Sequence, residues 1–151
     1  MTAISRDRVL YNEKYYDVLG SGRLFDAEKK YELKLSQGST FNPSGFHCDF
    51  KIADMVLYLF GLSFSSRRKP NKGFFGIGSH PPIINGVNPS IEKDPEIELW
   101  NILYEEIYLK IPFTGQLSIG DRQPNTDGLD DSDYAVILNL KFNKGRLLSV
   151  Q

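Results

Sequence analysis

Cysteine, histidine and tryptophan are scarce in this sequence of 151 residues, which contains one Cys, two His and one Trp. A single cysteine, Cys48, cannot form a disulfide within the chain, so the sequence does not belong to the disulfide-stapled secreted class. It favours a reducing compartment, and we predict a cytoplasmic location. Two histidines and one cysteine are also too few for a structural zinc site of the histidine–cysteine kind. We predict no metal and no other cofactor.

Long apolar runs and an excess of charge of either sign are also missing. The longest apolar stretch, 55–62, falls well short of the roughly 18 residues that a membrane-spanning helix needs. The N-terminal residues carry charges where a secretory signal has its apolar segment. Lys and Arg total 18 against 19 Asp and Glu, for a formal net charge of −1, whereas nucleic-acid binders usually have a basic excess. The composition therefore predicts neither membrane insertion nor nucleic-acid binding.

Two-residue alternation of apolar and polar side chains is the main periodicity, and it indicates β-strands with one buried face. The clearest segments are 46–52, 55–64 and 134–142, and the last is followed by a turn at 143–145 and a returning strand at 146–150. Segment 55–64 is apolar in both alternations, which predicts a central strand that is covered on both faces. Further strands are predicted at 9–11, 15–18, 31–35, 107–111 and 113–119.

Helical periodicity is scarce. Asp94-Pro95 is typical of an N-cap followed by proline in the first turn, so 94–103 is one candidate helix, and 26–30 is a second of about one turn. About eight short strands with Gly- and Pro-rich connections predict a mainly β fold, an antiparallel barrel or sandwich with at most one or two short helices. Because a chain of this length can bury a full core, we assign residues 1–151 to a single domain.

Two long connections carry opposite charge. Segment 65–73 contains four cations and no acid, and segment 121–133 contains five Asp and one Arg. Either could be a solvated turn, or either could contact a charged partner. Asn125, Asp127 and Gly128 resemble part of a calcium-binding loop, but the first and twelfth positions of such a loop would fall on Gln123 and Tyr134, which lack the required carboxylates. The candidate contact residues for a protein partner are Arg67, Arg68, Lys69, Asp127, Asp130, Asp131 and Asp133.

His47 and His80 are the two histidines that could take part in catalysis. His47, Cys48 and Asp49 are adjacent in a predicted strand, where neighbouring side chains point to opposite faces. Cys48 is therefore expected in the core, while His47 and Asp49 share the outer face and no Cys–His dyad forms. The glycines at 73–78 match neither a phosphate-binding loop nor a dinucleotide fingerprint. We predict no enzymatic activity, and an enzyme using His47 or His80 is the least favoured hypothesis.

The order of segments is similar to that in a group of small, poorly characterised bacterial β-rich proteins. The similar elements are Leu10-Tyr11-Asn-Glu-Lys-Tyr15, Gly45-Phe46 leading to Phe50-Lys-Ile52-Ala-Asp54 and Leu57-Tyr58-Leu59, Phe113-Thr-Gly115-Gln-Leu117-Ser-Ile119, and a closing Leu-x-Phe-x-x-Gly-x-Leu that ends at Leu147. Such proteins resemble the immunity proteins that are paired with bacterial toxins. The resemblance implies a protein partner and brings no catalytic residue.

Two hypotheses of different classes follow. In the first, this is a non-enzymatic bacterial protein that binds another protein, a toxin, with the acidic 121–133 segment attracting a basic partner and exposed tyrosines supplying the contact. In the alternative, the β-fold holds a small apolar ligand under a lid formed by 73–88. The ligand-binding residues would then be Phe74, Phe75, Ile83 and Trp100. A deep pocket lined by these residues would favour the ligand, and a filled interior would favour surface recognition.

Overall fold

β-strands make up most of the described part of the chain. The structure, a computed structural model, describes residues 6–20, 24–25, 46–66, 82–96, 99–128 and 130–151. The strands are β1 (Arg8–Tyr11), β2 (Lys14–Val18), β3 (Phe46–Ala53), β4 (Val56–Ser66), β5 (Ser90–Lys93), β6 (Trp100–Tyr104), β7 (Leu109–Lys110), β8 (Gly115–Arg122), β9 (Tyr134–Asn143) and β10 (Arg146–Val150). One 3-10 turn, Asp131–Asp133, precedes β9.

The ten strands form one mixed sheet in the order β10-β9-β8-β2-β1-β3-β4-β6-β5, with β7 beside β4. The sheet is ring-like because β10 also pairs with β4, where Arg146 faces Val56. The predicted mainly β class is confirmed. The described residues form ten strands where about eight were expected in the whole chain, and the predicted antiparallel arrangement is wrong for β1 and β3, which run parallel. Alternation specifies which face a residue occupies but not the direction of its neighbour, so the parallel pair was not predicted.

The hairpin turns have the geometry that matches strand twist. Both central residues have positive φ at Asn12-Glu13 (50° and 65°), Asp54-Met55 (50° and 65°) and Lys144-Gly145 (49° and 82°), as in type I′ turns. These turns confirm the predicted N-terminal and C-terminal hairpins and the close connection between β3 and β4. The last turn has two residues, because Asn143, predicted as part of the turn, still belongs to β9.

A bulge in β4 explains why that strand is apolar in both alternations. Asp49 faces Gly61 and Phe50 faces Leu59, so Phe60 is an extra residue between them. The inward-facing, buried residues are Leu57 and Leu59 before the bulge and Leu62 and Phe64 after it. The prediction that both faces of this strand are covered was therefore wrong, because the strand changes its inward face at the bulge.

The candidate helix at 94–103 is replaced by extended structure in its described residues. A bend occupies Pro95 and Glu96, and β6 begins at Trp100 and pairs with both β4 and β5. The Asp94 carboxylate accepts a hydrogen bond from the Glu96 amide at 2.9 Å, which is a local turn contact. Pairing across β6 outweighs the weak helical periodicity. The helix predicted at 26–30 and the strand predicted at 31–35 lie outside the described residues.

The buried apolar side chains form one cluster inside the sheet. Its largest fully buried members include Tyr104, Phe46, Phe50 and Phe142, and Cys48 is completely buried among them, as predicted. The predicted strand at 107–111 shortens to β7, and the one at 113–119 shifts to 115–122. No helix in the described ranges has the length and apolar character needed to cross a membrane.

Candidate functional site

Exposed aromatic side chains lie on the outer face of β1 to β4. The pairing register places Tyr15, Leu10, Lys51 and Tyr58 side by side across β2, β1, β3 and β4. The neighbours of Leu10 and Lys51 along the chain, Val9 and Phe50, are completely buried, so this row points outward. Tyr15 is 40% exposed and Tyr108, from the β6–β7 connection, is 41% exposed. The aromatic face is defined as Leu10, Tyr15, Lys51, Tyr58, Phe60 and Tyr108.

The side chains around Tyr108 contact one another in a defined geometry. The Tyr108 ring makes edge contacts with Tyr58, at a centroid distance of 5.6 Å, and with Phe60, at 5.2 Å. Lys51 Nζ donates a hydrogen bond to Tyr108 Oη at 2.9 Å and lies 5.0 Å from the centroid of Phe60. This hydrogen bond raises the pKa of Lys51. The Lys51 ammonium and the rings of Tyr58 and Phe60 therefore hold Tyr108 against the sheet while part of its surface stays in solvent.

The backbone at Tyr108 is strained and is held by a second segment. Tyr108 has φ of 51°, in the left-handed region, which costs roughly 1–3 kcal/mol for a residue other than glycine and persists only where the surroundings enforce it. Asn85 Nδ2 donates hydrogen bonds to the carbonyls of Ile107, at 2.6 Å, and Tyr108, at 3.1 Å. The Ile107 amide donates to the carbonyl of Phe60 at 2.9 Å. These bonds fix the position of Tyr108 within the chain itself.

An ion cluster lies beside the aromatic face. Arg8 donates two hydrogen bonds to the Asp49 carboxylate, at 3.1 and 3.2 Å, and its guanidinium lies 4.4 Å from the Tyr15 ring centroid. His47 Nε2 is 3.0 Å from Asp49 Oδ1, and His47 Nδ1 is 3.9 Å from Asp7 Oδ1. His47 and Asp49 share the outer face, as predicted. Both ring nitrogens of His47 face carboxylates, so neither is directed at a nucleophile.

Asp49 gives this cluster a pH dependence. Burial alone would raise the pKa of Asp49, but the hydrogen bonds and charges of His47 and Arg8 outweigh burial and lower the pKa below its usual 3.8. The stabilisation is therefore complete above about pH 4 and is lost as the pH falls through the lowered pKa. We expect Asp49→Asn to reduce the free energy of unfolding by about 1–2 kcal/mol near neutral pH. The difference from wild type should shrink below about pH 4, measured by urea denaturation across pH.

Asp54→Asn is the matched control for that measurement. Asp54 is exposed in the β3–β4 turn with φ of 50°, a conformation that asparagine accepts readily. Because this side chain is exposed, its replacement should change stability little. A destabilisation by Asp49→Asn that stayed constant into strong acid would contradict the assignment, because it would not come from the carboxylate charge.

The 121–133 segment, here called the acidic loop, is fastened to the sheet at its base. Arg122 contacts Asp17 Oδ2 through Nε, at 2.7 Å, and through Nη2, at 2.6 Å. Tyr134 Oη lies within hydrogen-bond distance of the same Asp17 oxygen and of the Gly128 carbonyl, which also accepts from Arg6. Burial and the charge of Asp17 raise the pKa of Tyr134.

The four aspartates predicted to contact a partner differ in their surroundings. Asp130 and Asp131 are exposed, whereas Asp127 and Asp133 are half-buried and make contacts within the chain. The Asp133 carboxylate accepts a hydrogen bond from the Asp130 amide at 3.2 Å. Within the described ranges, no group of three or more His, Cys, Asp or Glu side chains is arranged to hold a metal ion.

The residues predicted for the ligand alternative are not brought together in the described structure. Ile83 is 62% exposed, whereas Trp100 packs against the core with Lys93 Nζ 5.9 Å from its ring. These two residues therefore do not share a buried pocket. Phe74 and Phe75, most of the predicted lid and the predicted cationic contact residues Arg67, Arg68 and Lys69 lie outside the described residues.

A cleft of about 530 Å³ lies on the outer face of β8 and β9, next to the chain at Leu19–Gly20 and Leu24. Its lining is Leu19, Gly20, Leu24, Phe113, Gln116, Leu117, Ser118, Asp131, Ile137 and Asn139. Of these, only Asp131 was a candidate from the sequence. Five of the others lie on β8 and β9, whose mutual register the sequence does not reveal: Gln116, Leu117, Ser118, Ile137 and Asn139.

No family model, curated protein or solved structure matches this chain.

Proposed function

We propose that this protein acts by binding another protein through its aromatic face. The observation that carries the proposal is Tyr108, which is 41% exposed although its backbone is strained and its position is fixed by Asn85 and Lys51. Tyrosine and arginine are enriched among the residues that dominate binding energy. A ring held in place before association loses little conformational entropy on binding. Tyr15, stacked under Arg8, extends the same surface.

The charge of the acidic loop indicates that the proposed partner is a basic protein. Asp130 and Asp131 are its exposed acids, and clustered charge of one sign increases the rate at which an oppositely charged protein arrives. Asp127 and Asp133 contribute to the same field, and the Asp133 carboxylate also stabilises the loop by accepting a hydrogen bond from the Asp130 amide. In the specific form that we propose, from the sequence resemblance to immunity proteins, the partner is a toxin that this protein neutralises in the bacterial cytoplasm.

The proposal predicts that Tyr108→Asn weakens binding of the partner by at least about 30-fold, since central aromatic contacts contribute roughly 2 kcal/mol or more. Asparagine tolerates the left-handed backbone, so the substitution removes the ring and its contacts while the turn is preserved. Tagged wild-type protein and the variant would be used to capture partners from the native host. The affinity of the captured protein would then be measured with purified components by calorimetry.

Leu148→Asn is the matched control, because Leu148 is 55% exposed and lies on β10, outside the aromatic face. We expect one protein to be retained by wild type and by Leu148→Asn and to be lost with Tyr108→Asn. Expressed alone, that protein should arrest growth, and co-expression of wild type but not of Tyr108→Asn should restore it. A partner bound equally well by Tyr108→Asn would exclude the aromatic face as the contact surface.

A further inference from the structure

We propose that the cleft on β8 and β9 receives an arginine side chain of a basic protein partner. The inference rests on the proposed protein-binding function in one respect, namely that the arginine belongs to a protein and is not a free amino acid. It is carried by an independent observation, the composition and geometry of the cleft. The described lining includes one carboxylate, Asp131, and no cationic side chain, and Asp131 belongs to a loop that carries five Asp and one Arg. The cleft therefore favours a positively charged group.

The walls fit the stem of a long cationic side chain. Leu19, Leu24 and Ile137 supply apolar surface, against which the methylene groups of arginine or lysine pack while the charged end reaches a polar group. Ile137 is 37% exposed, so part of its surface is available for this contact. The exposed Asp131 carboxylate lines the same cleft. Apolar wall and carboxylate thus lie within one cleft.

The planar guanidinium suits the remaining lining better than an ammonium does. Ser118 Oγ donates to Asn139 Oδ1 at 2.6 Å, so the hydroxyl oxygen keeps its lone pairs for an incoming donor. Gln116 adds a second, exposed amide. Arginine presents five donors in a fixed plane, which can engage acceptors on several sides, whereas lysine presents a compact charge.

Phe113 supplies an aromatic surface for the same group. Its ring is held against Phe142 at a centroid distance of 5.9 Å. Gly115, with φ of 145°, leaves room for it, because a Cβ there would lie 3.2 Å from Phe113 Cζ. A guanidinium stacks favourably on an aromatic ring. The cleft therefore combines a carboxylate, neutral acceptors, an apolar wall and a ring, each of which arginine can use.

The test uses capped arginine, Nα-acetyl-L-arginine N-methylamide, titrated into the full-length ¹⁵N-labelled protein and followed by NMR. Saturable shifts are expected at the amides of Gln116, Ser118, Ile137 and Asn139. Capped citrulline, which has nearly the same shape without the charge, should not bind. Asp131→Asn should weaken capped arginine at least about tenfold. Asp54→Asn, a control at an exposed carboxylate in the β3–β4 turn that does not line the cleft, should change it less than about twofold.

Several results would overturn the inference. These are equal binding of capped citrulline, shifts confined to other regions, and unchanged affinity in Asp131→Asn. Free L-arginine that binds at least about tenfold tighter than the capped form would assign the cleft to a free amino acid and overturn the protein source. Against a captured partner, Asp131→Asn should reduce affinity at least about tenfold. If Tyr108→Asn weakens binding of the partner and Asp131→Asn does not, the proposed function stands and the arginine assignment fails. If Asp131→Asn weakens binding and Tyr108→Asn does not, the arginine assignment stands and the proposed role of the aromatic face fails.

Discussion

Gly145→Ala is expected to lower the free energy of unfolding by at least about 3 kcal/mol. Gly145 has φ of 82°, and a Cβ built there would lie only 2.3 Å from the carbonyl oxygen of Ile111. The same residue closes the ring, since its amide donates to the Phe113 carbonyl and its carbonyl accepts from the Leu57 amide, both at 2.8 Å. A methyl group forces the backbone apart where these bonds form. Urea denaturation at neutral pH measures the loss.

Gly86→Ala is the matched control for Gly145→Ala. It measures what alanine costs at a positive φ where the added Cβ meets no other atom. Gly86 has φ of 79°, and nothing lies within 4 Å of the Cβ position there. Alanine in the left-handed region costs about 1 kcal/mol, so the smaller loss expected at Gly86 is the conformational part. If the two variants lost equal stability, the carbonyl of Ile111 would not be the cause, and the assigned role of Gly145 in closing the ring would be wrong.

Asp17→Asn is expected to reduce stability by about 2–3 kcal/mol and to loosen the acidic loop. The side chains of Asp17 and Arg122 are only 13% and 22% exposed, so replacing Asp17 removes a negative charge that directly contacts a half-buried guanidinium. The Tyr134 hydroxyl also loses its contact with the Asp17 carboxylate and keeps the Gly128 carbonyl. Denaturation measures the global loss, and hydrogen exchange measures the loop.

The informative amides in the exchange experiment are those of Gln123, which donates to the Asp133 carbonyl at 2.7 Å, and Asp133, which donates to the Asp130 carbonyl at 3.0 Å. Both should exchange faster in Asp17→Asn. Asp121→Asn is the control, since it also replaces a paired carboxylate, but its partner Lys14 is exposed. Screening by solvent should make its effect much smaller. Equal effects of the two variants would show that burial of the Asp17–Arg122 pair does not matter.

Local patterns in the sequence specified the elements that depend on neighbouring residues. The alternation at 46–52 predicts that Cys48 is buried and that His47 and Asp49 share the outer face, and both predictions are confirmed. The N-terminal β1–β2 hairpin and the C-terminal β9–β10 hairpin are likewise predicted from neighbouring residues. Segment 94–103 was predicted wrongly because its local signals favour a helix. Its residues from Trp100 onward pair with β4, and this long-range pairing makes them a strand.

The sites depend on contacts that no local pattern encodes. Arg8 reaches Asp49 because β1 runs parallel to β3 in a register that places the two residues side by side. The alternation of apolar and polar residues does not predict the relative direction of neighbouring strands. Tyr108 is held by Asn85 through a left-handed backbone that the residue type itself disfavours. The cleft requires the register of β8 against β9. The sequence could therefore indicate an acidic loop and exposed tyrosines, but not the neighbours that make either of them a site.

The ring-like sheet also bears on how the chain folds. One seam joins Asp17 of β2 to Gly120 of β8, and another joins Val56 of β4 to Arg146 of β10, so both depend on strands that are far apart along the chain. Pairings of this kind form slowly, because the intervening chain must first be ordered. During synthesis, β2 and β4 are complete before β8 and β10 exist, and each then has an open edge that can pair with another chain. In a nascent chain, the edges of β2 and β4 therefore stay unpaired until the C-terminal strands emerge.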